Sequence, residues 1–180
     1  MNYYIKSDID QITENIYLGN YEASIIPEYL SQLGITKILS VMDVGAPNYN
    51  EFYNGPYFIQ KIVKVVDYPT ENIIKYFGEC INFIFGYDKV LVHCSAGASR
   101  SATIVIAYIM WSKRMPYEKA LYFVSDKRYC VCPNLGFREQ LQLFDKLLKE
   151  NNYNLNLIDF KNIRWDKKIT DYYEANFDII

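Results

Sequence analysis

A short apolar run, followed by a loop of small residues and then by an apolar helix, restricts the fold more than any other feature. Val90-Leu91-Val92 is apolar throughout. Such a run is typical of a central parallel strand that is buried on both faces. Residues 102–111 are apolar almost all round, which predicts a buried helix rather than a surface helix. Other elements must therefore cover both this strand and this helix.

The rest of the chain alternates between strand and helix patterns. Two β-branched runs predict further strands, over residues 37–41 and 59–66. Apolar spacing and turn residues predict further helices, over about residues 27–33, over 73–85, from Pro116 onwards, and over 137–148. Strands that alternate with helices predict an α/β fold with a central, mostly parallel sheet flanked by helices.

Composition excludes several classes of protein. The 180 residues include 19 basic and 21 acidic side chains, which argues against broad electrostatic binding to nucleic acid or to an anionic membrane. A hydrophobic content of 51% argues against disorder. The first residues lack the apolar region of a secretory signal, and no stretch approaches a membrane span. We therefore expect an intracellular domain, cytoplasmic or alternatively nuclear.

The cysteines fit the same compartment. Cys80, Cys94, Cys130 and Cys132 are too few for a disulfide scaffold in a chain of this length. Cys130-Val-Cys132 could suggest half of a zinc site, but His93 is the only histidine and no C-x-x-C pair is present. We expect no metal and no cofactor. Cys80, Cys130 and Cys132 are predicted to be packing residues, with a reversible disulfide to Cys94 as the alternative.

Two segments have a cysteine followed six positions later by an arginine, and their composition separates them. Between Cys94 and Arg100 no residue is larger than serine, and every residue has a backbone N–H. A loop that wraps a phosphate must direct consecutive N–H groups inward, and Gly97 permits the unusual backbone that this requires. The segment 132–138 contains Pro133, which lacks an N–H, so we predict a helix start there. The residues predicted to bind phosphate are Ser95, Ala96, Gly97, Ala98, Ser99 and Arg100.

The same segment supplies the residue types that phosphate transfer needs. A thiol at a helix N-terminus and beside a guanidinium is stabilised as the thiolate, the form in which Cys94 can attack phosphorus. Arg100 presents a planar fork to two phosphate oxygens. Ser101, in the first turn of the helix, can donate to the sulfur and make it a better leaving group. The alternative is an inert cysteine at a strand end.

The residues His-Cys-Ser-Ala-Gly-Ala-Ser-Arg-Ser-Ala-Thr from position 93 resemble the signature loop of the cysteine-dependent protein tyrosine phosphatase superfamily, in its dual-specificity branch. The resemblance spans about residues 12–150 and includes Asn-Ile-Tyr-Leu-Gly at 15–19 and Pro-Asn-Leu-Gly-Phe at 133–137. It implies a phosphocysteine intermediate, a phosphoprotein substrate and no cofactor. Lipid phosphatases of this group usually have a lysine in the loop, where this chain has Ser95 and Ala98.

The resemblance also implies a general acid on an upstream loop. Asp43 and Asp67 both end predicted strands, and ligand sites in such sheets lie at the carboxyl ends of strands. The family pattern, an aspartate followed five residues later by asparagine and then by an aromatic pair, matches Asp67, Asn72 and Tyr76-Phe77. We therefore expect Asp67 to be the acid, with Asp43 as its rival.

Two further residues take supporting roles from the resemblance. His93 precedes the cysteine, which could indicate a Cys–His dyad. The family instead implies that His93 is buried behind the loop, hydrogen-bonds backbone and tunes the thiolate. Asn134 resembles the residue that braces the loop.

The chain changes character after Glu150. We predict a phosphatase domain over residues 1–150 and an aromatic-rich extension over 151–180, with aromatic side chains at Phe160, Trp165, Tyr172, Tyr173 and Phe177. The extension is expected to pack on its own domain, and a partner or homodimer surface is the alternative. The whole chain is predicted to dephosphorylate phosphotyrosine and phosphoserine/threonine in proteins. A phosphoinositide or phosphoglycan substrate, or a phosphate-binding adaptor, remain the rival functions.

Overall fold

The computed structural model describes residues 8–43 and 57–165. Their strands form one sheet in the order β1-β2-β5-β3-β4. The strands are β1 (Ile9–Gln11), β2 (Ile16–Gly19), β3 (Ile35–Val41), β4 (Ile59–Val63) and β5 (Lys89–His93). Only the pairing of β1 with β2 is antiparallel in this sheet, and the other three pairings are parallel. The predicted α/β fold with a mostly parallel sheet is therefore confirmed.

The helices lie on both faces of the sheet. They are α1 (Tyr21–Ser24), α2 (Pro27–Gln32), α3 (Phe77–Ile84), α4 (Arg100–Ser112), α5 (Tyr117–Lys127) and α6 (Leu135–Glu150), with 3₁₀ turns at Ile74–Tyr76 and Leu155–Leu157. Helix α4 contacts α3, α5 and α6 on one face. This explains why α4 is apolar all round, because it is enclosed by the sheet and by three helices.

Strand β5 has the double-sided burial that its sequence predicts. Val90 and Val92 belong to the large core beneath α3 to α6, whereas Leu91 packs with Leu30 of α2 on the opposite face. All three residues of this run are completely buried. Successive side chains of a strand point to opposite faces, so a central strand covered on both sides must be apolar at every position.

The structure differs from the sequence prediction at one strand end and at the N-terminal strands. The strand expected over 59–66 ends at Val63, because its ladder partner Val41 is the last residue of β3. Asp67 therefore lies four residues beyond its strand rather than at the strand end. Strands β1 and β2 were not predicted, since they are three and four residues long and leave little pattern in the sequence.

The chain continues past α6 as a segment that packs on the domain. We call residues 151–165 the C-terminal strap. The Nε1–H of Trp111 donates to the carbonyl of Tyr153 at 3.1 Å, and the ring of Phe160 lies 6.0 Å from that of Phe144. Tyr172, Tyr173 and Phe177 fall outside the described residues. Among the helices that are described, none is long and apolar enough to span a membrane.

Candidate active site

The loop after β5 connects the carboxyl end of a central strand to the N-terminus of α4. Cys94 follows the strand directly and is 1% exposed. Its Sγ accepts hydrogen bonds from the backbone N–H of Gly97 at 3.2 Å and from the hydroxyl of Ser101 at 3.1 Å. Both donors favour a negative charge on the sulfur. Cys94, Gly97 and Ser101 thus come together as the sequence predicts.

The carbonyl oxygens of the loop all accept hydrogen bonds from the surrounding scaffold. The donors are Tyr21 N for Ser95 (3.1 Å), Arg128 Nη2 for Ala96 (3.3 Å), Arg128 Nε for Gly97 (2.9 Å), Cys132 N for Ala98 (2.8 Å) and Thr103 N for Ser99 (2.8 Å). The N–H of a trans peptide points away from its C=O. Carbonyls that bond outward therefore leave the N–H groups of residues 96–100 directed to the inner side of the loop. This is the arrangement that an anion-binding loop requires.

Gly97 is the residue that lets the loop turn this tightly. Its φ is +67°, in the left-handed region that favours glycine. A Cβ at this position would lie 2.5 Å from the carbonyl oxygen of Gly19 and 2.8 Å from Nη2 of Arg128. Both the backbone conformation and the lack of space therefore require glycine.

Arg128, which the sequence analysis did not single out, supports the loop from behind. Its guanidinium is fully buried and donates to the carbonyls of Ala96 and Gly97. Nη1 also pairs with carboxylate oxygens of Asp8 and Asp10, each at 2.7 Å. These partners lie 118 and 120 residues away in sequence, so no local motif could have indicated the cluster.

Arg100 is held at the start of α4, and its Nε atom has no acceptor among the described residues. Nη1 donates to Oδ1 of Asp43 at 2.9 Å and to the carbonyl of Val65 at 3.3 Å, and Nη2 donates to Oγ of Ser95 at 2.8 Å. The Nε–H is buried and has no hydrogen-bond partner among the described residues, since the nearest carboxylate oxygen, on Asp67, is 3.8 Å away. A buried donor without an acceptor is costly, and a bound oxyanion would satisfy it.

Asp67 lies beside the same loop and is held by two donors. Its Oδ1 accepts from the hydroxyl of Ser99 at 2.7 Å and from Nδ2 of Asn134 at 2.8 Å. The side chain of Asp67 is 37% exposed. Asn134 also caps α6 through its Oδ1, which accepts from the N–H of Phe137 at 2.9 Å. The second Cys-x₅-Arg segment thus forms a helix start, as predicted.

The two candidate acids have different environments. Asp43 is ion-paired with Nη1 of Arg100 at 2.9 Å, whereas Asp67 lies 3.8 Å from Nε of the same arginine and is hydrogen-bonded to Ser99 and Asn134. A carboxylate in direct contact with a guanidinium is stabilised in its charged form, which disfavours service as a proton donor. Asp43 therefore makes the shorter contact with Arg100, and Asp67 the longer one.

His93 is buried behind the loop. Its Nε2 lies 2.7 Å from Oγ of Ser40. Burial lowers the pKa of His93 to about 4, an effect that the adjacent backbone of Cys94 opposes. The imidazole is therefore neutral near pH 7. The contact with Ser40 engages Nε2, so this ring nitrogen already has a partner other than the sulfur.

The other cysteines have separate surroundings. All four cysteines are free thiols. Cys80 is completely buried in α3, and burial raises its pKa. Burial also raises the pKa of Cys130, while Cys132 is exposed and accepts from Nη2 of Arg138 at 3.2 Å. Within residues 8–43 and 57–165, no group of three or more His, Cys, Asp or Glu side chains is arranged to hold a metal ion.

Comparison with known proteins identifies the family. Residues 16–147 match the family model of the dual specificity phosphatase catalytic domain. The chain belongs to the dual specificity phosphatase family. A mouse protein named dual specificity protein phosphatase 22 is 40% identical over 144 residues, which cover 78% of this chain and 75% of that protein. Dual specificity protein phosphatase 1B of Arabidopsis thaliana is 35% identical over 148 residues, covering 80% and 86%.

Solved structures agree with this membership. The crystal structure of the human tyrosine phosphatase-like serine/threonine/tyrosine-interacting protein is 34% identical, with a TM-score of 0.69 over 79% of this chain and 99% of that one. This dual specificity phosphatase is accordingly a phosphoric monoester hydrolase. It dephosphorylates phosphotyrosine and phosphoserine/threonine in proteins through a phosphocysteine intermediate, as its sequence predicted.

Proposed function

We propose that Cys94 is the nucleophile of this phosphatase, that the loop of residues 95–100 binds the phosphate and that Asp67 is the general acid and base. One observation carries the proposal. The sulfur of Cys94 is buried at the base of a loop whose carbonyls bond outward, beside an arginine with an unused buried donor. A phosphate dianion in this loop would meet inward N–H groups, the dipole of α4 and the guanidinium of Arg100.

In the first step Cys94 attacks phosphorus and the bond between phosphorus and the ester oxygen breaks. The leaving oxygen of tyrosine, serine or threonine receives a proton from Asp67 and departs as the neutral hydroxyl. Arg100 and the loop N–H groups stabilise the charge on the equatorial phosphate oxygens. General acid catalysis of this kind contributes on the order of 10²–10⁴-fold to the rate.

In the second step water attacks the phosphocysteine. Asp67, now a carboxylate, accepts a proton from the water as the bond between phosphorus and sulfur breaks. Inorganic phosphate and the Cys94 thiolate are the products. The hydroxyl of Ser101 and the N–H of Gly97 already donate to this sulfur, so they stabilise the thiolate as it leaves.

His93 and Asn134 act through the residues that they contact. His93 is buried directly before Cys94 and is held there by Ser40. Asn134 holds Asp67 over the loop through its side chain, while its backbone N–H donates to Oγ of Ser99 at 3.2 Å. Loss of either residue should lower turnover without removing a reacting group.

The deciding experiment measures phosphate release from phosphotyrosine and phosphothreonine peptides. Wild type should turn over both peptides, Cys94→Ser should abolish turnover and Asp67→Asn should lower kcat by on the order of 10²-fold or more. Asp43→Asn is the matched control, because it removes the rival carboxylate from the same arginine. If Asp67→Asn kept the full rate while Asp43→Asn lost it, the roles of the two aspartates would be reversed.

A phosphate-binding module is the second candidate function. It is favoured by the similarity to the human protein whose name describes it as phosphatase-like and interacting. Cys94, Arg100 and Asp67 are all present here, which supports an enzyme. A complex of Cys94→Ser with a phosphopeptide, together with no turnover by wild type, would support binding instead.

Three expectations from the sequence stay predictions. These are a cytoplasmic location, the absence of nucleic-acid and membrane partners, and, as the alternative to packing on the domain, a homodimer formed through the extension. Sedimentation of the full chain beside a truncation at Glu150 would test the homodimer, which requires a concentration-dependent mass that the truncation loses.

A further inference from the structure

We propose that the C-terminal strap positions the loop that carries Asp67, and so sets how well the enzyme protonates poor leaving groups. This proposal rests on the role of Asp67 as the general acid. We call residues 64–73 the acid loop. The strap follows residue 147, where the family match ends.

Two hydrogen bonds join the strap to the acid loop. The Nε1–H of Trp165 donates to the carbonyl of Pro69 at 3.2 Å. The Nδ2–H of Asn72 donates to the carbonyl of Ile163 at 2.9 Å. The bonded positions in the acid loop lie two and five residues beyond Asp67. The strap therefore contacts the part of the acid loop that directly follows Asp67.

Helix α6 holds the same segment from another side. The buried side chain of Gln140 donates to the carbonyl of Glu71 at 2.8 Å and accepts from the N–H of Ile74 at 3.0 Å. A Cβ at Gly136 would lie 1.8 Å from the carbonyl oxygen of Pro69. The carbonyl of Pro69 thus packs against α6 on one side and accepts a hydrogen bond from Trp165 on another. Loss of the strap would remove one of these two restraints on the acid loop.

The strap is itself anchored to the core. Ile158 is buried, and Phe160 packs against the ring of Phe144 and against Gly78, where a Cβ would lie 2.7 Å from the Phe160 ring. The hydrogen bond from Trp111 to Tyr153 holds its beginning. An anchored strap can restrain a loop, because motion of the loop must then break contacts with a fixed partner.

The expected effect follows from what a general acid does. Protonation matters for a leaving group that is a poor anion, such as the phenol of tyrosine or the alcohol of threonine. It matters little for a strongly acidic phenol, which leaves as an anion without help. A displaced Asp67 should therefore slow phosphotyrosine but spare 2,4-dinitrophenyl phosphate, whereas general damage to the phosphate loop should slow both.

The experiment compares kcat/KM for a phosphotyrosine peptide and for 2,4-dinitrophenyl phosphate in the full chain. Trp165→Phe removes the donor to Pro69 and keeps a ring. Its matched control, Trp111→Phe, removes the same kind of indole donor from helix α4, whose acceptor is the carbonyl of Tyr153 in the strap, away from the acid loop. We expect Trp165→Phe to lower the ratio of the two rates about fivefold and Trp111→Phe to leave the ratio unchanged. Trp165→Phe with Asn72→Ser should lower the ratio further, toward that of Asp67→Asn.

Separate outcomes distinguish this proposal from the one on which it rests. If Asp67→Asn lowers the ratio but the Trp165 and Asn72 variants do not, or if those variants slow both substrates equally, the strap does not position the acid. If Asp67→Asn itself leaves the ratio unchanged, the assignment of the acid is wrong. In Asp67→Asn, adding Trp165→Phe should cause no further loss, because no acid remains to be displaced.

Discussion

Replacing Arg128 with lysine tests whether the support behind the phosphate loop determines its function. The guanidinium makes five hydrogen bonds, of which two reach the carbonyls of Ala96 and Gly97 and three reach Asp8 and Asp10. A lysine keeps the charge but offers three donors from one atom. It can pair with the carboxylates or with the loop carbonyls, and it cannot span both.

The loss of stability expected in Arg128→Lys follows from how deeply each hydrogen-bond partner is buried. The side chains of Asp8 and Asp10 are 46% and 40% exposed, so water can replace the hydrogen bonds that their carboxylates lose. These ion pairs therefore contribute little to the loss of stability. The two carbonyl bonds are made by a charged group in the interior, each contributing roughly 1.5 kcal/mol at the low end of such bonds. We therefore expect Arg128→Lys to reduce the free energy of unfolding by about 3 kcal/mol.

The larger consequence concerns the inward N–H groups. Without outward bonds at Ala96 and Gly97, the peptides that present the N–H groups of Gly97 and Ala98 lose their orientation. A displacement of about 1 Å in a binding group can cost on the order of 10²-fold in rate. We expect kcat/KM for a phosphotyrosine peptide to fall tenfold to a hundredfold, by analogy with that magnitude, and inhibition by tungstate to weaken in parallel.

The matched control is Arg138→Lys, which removes bonds to the carbonyl of Pro133 and to the sulfur of Cys132 outside the loop. It should leave kcat/KM and tungstate inhibition near wild type. Urea unfolding and steady-state kinetics measure the two effects separately. If Arg128→Lys lost stability but kept wild-type kcat/KM and tungstate affinity, the loop would hold its shape without Arg128 and the reasoning would be refuted.

Three further predictions concern single residues. Gly97→Ala should lower the free energy of unfolding by about 3 kcal/mol and abolish turnover, because backbone strain and overlap with the Gly19 carbonyl act together. Gly34→Ala, at a φ of +74° but with only ordinary contacts, should lower it by about 1 kcal/mol. Equal losses of stability in urea unfolding would contradict this reasoning. The unfolded state binds a proton at His93 near pH 6.5, whereas the folded state binds it near pH 4. The free energy of unfolding should therefore fall by up to about 3 kcal/mol as the pH drops through that window. His93→Asn should make the free energy of unfolding depend less on pH over the same range. Iodoacetamide should alkylate exposed Cys132 in the folded protein and spare Cys80, whose pKa is raised by burial; rapid labelling of Cys80 would disprove its inertness.

The central part of the site could be predicted from sequence because it is local. Cys94, Gly97, Arg100 and Ser101 lie within eight consecutive residues, and the strand before them and the helix after them direct where they point. Small residues, a glycine and a helix N-terminus are properties of the segment itself. Their effect on backbone geometry does not depend on the rest of the fold.

The choice between Asp43 and Asp67 lay at the limit of what sequence can decide. Both aspartates follow strands of the same parallel sheet, so both reach the same edge. In the structure Asp43 pairs with Arg100 at 2.9 Å, whereas Asp67 bonds to Ser99 and Asn134 and lies 3.8 Å from Arg100. Such partners come from different parts of the chain and cannot be identified from either aspartate's neighbours.

The sequence by itself thus determined the α/β fold class, the phosphate loop and its chemistry, because hydrophobic period and backbone preference act over a few residues. Only the tertiary structure decided where β4 ends, that Arg128 supports the loop and that the C-terminal strap bonds the acid loop. In each case the deciding contact joins residues far apart in the chain: Val41 with Val63, Arg128 with Asp8, and Trp165 with Pro69. The energy of such a contact exists only when folding brings its partners together, so no local pattern records it.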